Sequence, residues 1–152
     1  MKRVINLDDI KEHVVAHVNT LWEEEGETGG FRMGEHGPVN LLSTTDTAWI
    51  LYCIGAVDRM SPKKVKWIRW LQSKQDPNRG YFQYEITKHN KGHAFWHTTR
   101  ALNILGAQIL YFPEYLREFL EPSGLREWFS QKDWSSPSSS HHEVLGLVPI
   151  LA

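Results

Sequence analysis

At 152 residues, 41% hydrophobic and 23% charged, the chain has enough apolar mass for one domain with a core and too little length for two. A net charge of −1 and a pI near 6.7 give no cationic footprint for nucleic acid or an anionic membrane, and no run reaches transmembrane length. The lone Cys53 excludes an internal disulfide, and no hydrophobic leader follows Lys2 and Arg3, so a cytoplasmic protein is expected.

Asp8 or Asp9, with Glu12 completing a capping box, predicts a first helix. Ile10, Val14, Val18, Leu21 and Trp22 share its apolar face, and it is expected to end in Glu23, Glu24, Glu25 and Gly26 before the turn GETGGFRMG. A Gly/Pro loop follows. Ser43 is then expected to open a second helix, with Asp46 three residues on. Ala48 to Val57 carries no charge, which places that helix inside and makes Cys53 a core thiol.

Ser61 and Pro62 signal the next, outer helix. Its apolar residues are Val65, Trp67, Ile68, Trp70 and Leu71, and its wet side is Lys63, Lys64, Lys66 and Arg69. Asp76 to Gly80 reads as a turn, Tyr81 to Gly92 as a polar loop, and His93 to Leu110 as a second inner helix. Pro113 to Phe129 gives a further outer segment, broken at Pro122, Ser123 and Gly124. Ser140 and Glu143 repeat the capping-box pattern ahead of a third inner helix. That helix is apolar through Val144 to Leu151 and ends at Ala152 without a polar cap, so missing carboxy-terminal hairpins, or a partner covering this end, are expected.

Two of these stretches are copies. Thr44 to Ala56 and Phe95 to Ala107 align at an offset of 51 residues, which matches Thr47 with Thr98, Leu51 with Leu102, Gly55 with Gly106 and Ala56 with Ala107. The same offset joins Gly29 to Gly80 and Phe31 to Phe82, so the repeat includes an outer segment, a Gly-aromatic turn and an inner helix.

Alternating outer and inner helices joined by Gly-aromatic turns resemble the α/α toroid of terpenoid cyclases and protein prenyltransferase β subunits. The most specific element is Trp70-Leu71 followed by Gln75-Asp76-Pro77-Asn78-Arg79-Gly80-Tyr81-Phe82, which is similar to a QW-type repeat with Phe82 in place of tryptophan. The resemblance implies an all-α fold, one domain over residues 1–152 made of helical hairpins, incomplete at its carboxy terminus. The cyclases' Asp-rich motifs and the prenyltransferases' Asp-x-Cys zinc pair are absent from the sequence. Helical toroids also occur in glycoside hydrolases and polysaccharide lyases, whose sites lie at one mouth of the barrel.

The offset puts Asp46 and His97 at the same place in successive inner helices, facing one rim. In the third copy the match is His142 or Glu143, depending on whether Gly146 aligns with Ala101 or the capping boxes align. A carboxylate and an imidazole so placed can do acid/base work, with Trp96, Arg100, Tyr81 and Arg32 as substrate-binding neighbours. Each has a plainer alternative: Asp46 and Glu143 as helix caps, His97 as a core histidine, Trp96 as packing. His93 and His97, like His13 and His17, have the i, i+4 spacing of a zinc pair, but no His-Glu-x-x-His pattern or cysteine ligand accompanies them, so neither metal nor cofactor is expected.

The functional expectation is a carbohydrate-active enzyme, of glycoside hydrolase or polysaccharide lyase type, acting on an oligosaccharide or other small molecule. The alternatives are a cyclase- or prenyltransferase-like isoprenoid-handling protein and a noncatalytic scaffold. An aromatic cavity with no titratable group facing inward points to the isoprenoid reading, and a filled cavity points to the scaffold.

Overall fold

The computed structural model describes residues 6–83, 91–132 and 135. The expected third inner helix, His142 and Glu143 lie outside the described residues. Among the described residues, five α-helices and one two-stranded sheet follow in the order α1 (Leu7–Leu21), β1 (Trp22–Glu25), β2 (Thr28–Phe31), α2 (Leu41–Cys53), α3 (Lys64–Ser73), α4 (Lys91–Ile104) and α5 (Pro122–Ser130). Two 3-10 segments, Val57–Lys63 and Glu114–Leu120, precede α3 and α5.

The expected all-α class is corrected by β1 and β2, which pair antiparallel from Trp22 opposite Phe31 to Glu25 opposite Thr28. The fold is mixed: mostly helical, with a short hairpin between α1 and α2. Glu23 to Glu25 were expected to finish α1, but Gly26, at φ +58, takes the first central position of a two-residue hairpin loop, as a type II′ turn requires. Tertiary packing holds the hairpin. The Trp22 ring lies 5.0 Å from Phe31, and Phe31 lies 4.7 Å from the fully buried Trp67 of α3.

The second copy of this turn is shorter. Gln75 and Phe82 form a single antiparallel bridge there, and the Gln75 side chain secures it. Its Nε2 donates to the carbonyls of Gly80 at 2.7 Å and Tyr111 at 2.6 Å, while its Oε1 accepts the amides of Leu110 at 2.8 Å and Tyr111 at 3.0 Å. One buried amide thus ties the turn after α3 to the chain after α4.

The inner helices end alike. The amides of Gly55 and Ala56 donate to the carbonyls of Tyr52 and Leu51, and those of Gly106 and Ala107 donate to Asn103 and Leu102, a Schellman cap in each copy. Both glycines have positive φ, which L side chains rarely adopt. The expected end of the second inner helix at Leu110 therefore falls back to Ile104.

α2 packs chiefly on α4, and α3 on β2. Leu51, Ala48, Trp67, Leu71, Phe95, Ala101 and Leu102 lie in the shared core. The expectation that Ala48 to Val57 is covered on all sides is also corrected, since Trp49, Ile50, Tyr52 and Cys53 are exposed. No described helix is long and apolar enough to cross a membrane.

Candidate functional site

The register of α2 is set at its first turn. Asn40 is the N-cap: its Oδ1 accepts the Ser43 amide at 2.9 Å, and Ser43 Oγ donates to the Phe31 carbonyl at 2.5 Å. Thr44 Oγ1 accepts the Phe31 amide at 3.0 Å, so the end of the hairpin is fixed to the start of α2. Asp46 consequently stands in the second turn, beyond the free amides, and does not cap the helix.

α4 carries His97 to the same level. Its Nδ1 lies 3.3 Å from Asp46 Oδ1, and its Nε2 lies 2.8 Å from Nε2 of His93, one turn earlier and buried. Which of the two Nε2 atoms donates depends on the tautomer. Asp46, His97 and His93 thus stand in a row of side-chain contacts. Its outer end is the Asp46 carboxylate, whose side chain is 44% exposed against 20% for His97.

The rest of the wall follows from the repeat. Trp49 and Arg100 occupy equivalent positions, as Asp46 and His97 do, and the Arg100 guanidinium stacks directly on the Trp49 indole. Contacts at both levels mean that α2 and α4 run parallel and in register. Trp96, equivalent to Thr45, also lies close to Arg100, its ring centroid 4.9 Å from the guanidinium carbon, and meets the His97 ring edge-on at 4.6 Å. Between the helices these three pairs enclose a hollow of ≈ 120 Å³, closed below by Ala101 and Ile104. Burial pulls the Arg100 guanidinium below its ordinary pKa.

Asp46, His97, Trp96 and Arg100 therefore meet in one groove, and Arg32 and Tyr81 stand elsewhere. Arg32 holds the loop after the hairpin, donating to the carbonyls of Glu35 at 2.5 Å and Thr20 at 2.9 Å. It borders a larger, open hollow of ≈ 640 Å³ beside the sheet, where both of its terminal nitrogens are already engaged. Tyr81 lines a separate surface hollow with Arg79, Glu114 and Tyr115. Among the described residues no group of three or more histidine, cysteine or acidic side chains converges as a metal site. Trp49 and Thr45 are the groove residues that sequence reasoning passed over, although the 51-residue offset already paired them with Arg100 and Trp96.

The chain matches no protein-family model, no curated protein and no solved structure.

Proposed function

We propose that the groove between α2 and α4 is the active site of a carbohydrate-active enzyme of the glycoside hydrolase or polysaccharide lyase type. The observation that carries this reading is the 3.3 Å approach of Asp46 to His97 at the wall of a hollow also lined by tryptophans. Asp46 is the acid/base group that meets substrate. His97 orients its carboxylate and shares its proton, and His93 continues the row into the protein. Indole faces suit the apolar faces of sugar rings, and Trp96 is the platform beside the carboxylate. We place the reaction in the cytoplasm, where a lone exposed thiol such as Cys53 stays reduced.

An isoprenoid site is the weaker reading, because titratable and charged side chains, Asp46, His97 and Arg100, face the hollow. The test is a screen of the full chain against neutral and acidic polysaccharides, following new reducing ends and the ultraviolet absorbance of unsaturated sugar ends. Asp46→Asn is expected to lower the rate by at least about 100-fold, the usual scale of acid/base catalysis. Its urea midpoint should stay close to wild type, because the exposed carboxylate is not a cap. Full activity in Asp46→Asn removes the proposal.

A further inference from the structure

Among the described residues Arg32 bonds two carbonyls, Arg59 bonds Glu12, and Arg69 bonds Glu27. Arg100 is unlike these three. It is half-buried in the groove wall, and among the described residues no carboxylate or carbonyl accepts from its guanidinium. Its guanidinium carbon lies over the Trp49 ring and 4.9 Å from the centroid of Trp96, contacts that use the face of the cation and none of its N–H donors. The groove's own acid, Asp46, is faced by His97 rather than by Arg100. The groove thus holds a half-buried cation with no carboxylate bonded to it among the described residues.

A planar guanidinium matches a carboxylate, which it grips with two parallel hydrogen bonds. The hollow of ≈ 120 Å³ agrees, leaving room for a carboxylate and the ring edge that bears it. A phosphate dianion brings a second negative charge toward Asp46 and fits less well.

We propose that Arg100, held beside Trp49 and Trp96, binds the carboxylate of an acidic sugar, so that the groove takes uronic acid units in preference to neutral sugars. This rests on the carbohydrate reading above and adds the charge of the substrate. The carboxylate docks on Arg100 one helical turn from His97, which brings the carbon next to it toward Asp46.

The test is calorimetric binding of D-glucuronate, D-glucose and acetate to the full chain, so that it does not depend on turnover. Glucuronate is expected to bind at least about tenfold tighter than either of the others, the margin of one charge-assisted hydrogen bond. Arg100→Gln should bring glucuronate down to the glucose level, and Arg100→Lys should recover only part of the difference because it lacks the fork. A rise in salt should weaken glucuronate binding and leave glucose binding unchanged, which tests the charge in the unaltered protein even where a variant fails to fold. Equal affinity for glucuronate and glucose, or for glucuronate and acetate, overturns the proposal. If Asp46→Asn loses activity while glucuronate shows no preference, the acid/base reading stands and the acidic-sugar reading falls. If glucuronate is preferred while Asp46→Asn keeps full activity, the acidic-sugar site stands and the acid/base role of Asp46 falls.

Discussion

Replacing Gln75 with alanine removes four hydrogen bonds at one point, those to the Gly80 and Tyr111 carbonyls and from the Leu110 and Tyr111 amides. Gln75 is 5% exposed, so water does not readily take over these main-chain groups. At about 1 kcal/mol net per hydrogen bond the loss is about 4 kcal/mol, which for a chain of this size lowers Tm by roughly 12 °C. Gln75→Glu separates hydrogen bonding from volume. A carboxylate keeps the acceptor for the two amides but turns its second oxygen on the two carbonyls. At neutral pH it should be no more stable than Gln75→Ala. Protonation lets it donate again, so the folded state holds that proton more tightly than the unfolded one, and the variant should recover relative to wild type as pH falls. Urea melts of the three proteins at neutral and mildly acidic pH measure this. A loss below about 1 kcal/mol in Gln75→Ala, or a Glu variant that beats Ala at neutral pH, would refute the description of Gln75 as the tie between the two turns.

Exchanging Trp49 and Arg100 tests the parallel register of α2 and α4: each single change should cost about 1–2 kcal/mol, and the double exchange should regain at least half of the sum because the stack re-forms in mirror order. A double variant no better than the added singles counts against in-register packing. Tyr115 gives a pH prediction. Burial pushes its phenol well above the ordinary value, and its hydroxyl has no hydrogen-bond partner among the described residues. Above pH about 10 the unfolded chain loses this proton and the folded chain keeps it, so stability falls with rising pH by up to about 1.4 kcal/mol per unit. In Tyr115→Phe that share of the alkaline loss should be absent from urea melts, with neutral-pH stability equal or higher; an unchanged alkaline slope contradicts the burial argument.

The repeat was legible because its fixed residues do the same work twice. Gly55 and Gly106 cap helices through the same pair of bonds, and Thr47 and Thr98 each donate to the carbonyl four residues back, at 2.8 Å in both copies. The strand at Trp22–Glu25 was not legible, because Trp22 continues the apolar spacing of α1 and the glutamates are good helix formers. What turns them into a strand is distant in sequence: the Phe31 and Trp67 rings around Trp22. The cap of α2 lies three residues before the expected one, since Ser43 has the chemistry of a cap but gives its hydroxyl to Phe31, leaving Asn40 to cap. Composition also placed α2 wholly inside; an uncharged run shows what a helix can bury, whereas Trp49, Ile50 and Tyr52 are exposed among the described residues.

Within the repeat, sameness and difference divide by role. Of the four identical pairs, Thr47 with Thr98 and Leu51 with Leu102 lie within the helices, Gly55 with Gly106 and Ala56 with Ala107 form the caps after them, and all serve the backbone or the core. The pairs that line the groove all differ: Thr45 with Trp96, Asp46 with His97, Trp49 with Arg100. Parallel, in-register copies force this, because each groove residue faces its own counterpart. Two aspartates at the 3.3 Å separation of Asp46 and His97 would repel, and two arginines at the Trp49 position would do the same. Only after the copies diverge into acid opposite imidazole and indole opposite guanidinium can the wall carry polar chemistry. Neither unit alone forms the groove, which exists only where the two meet.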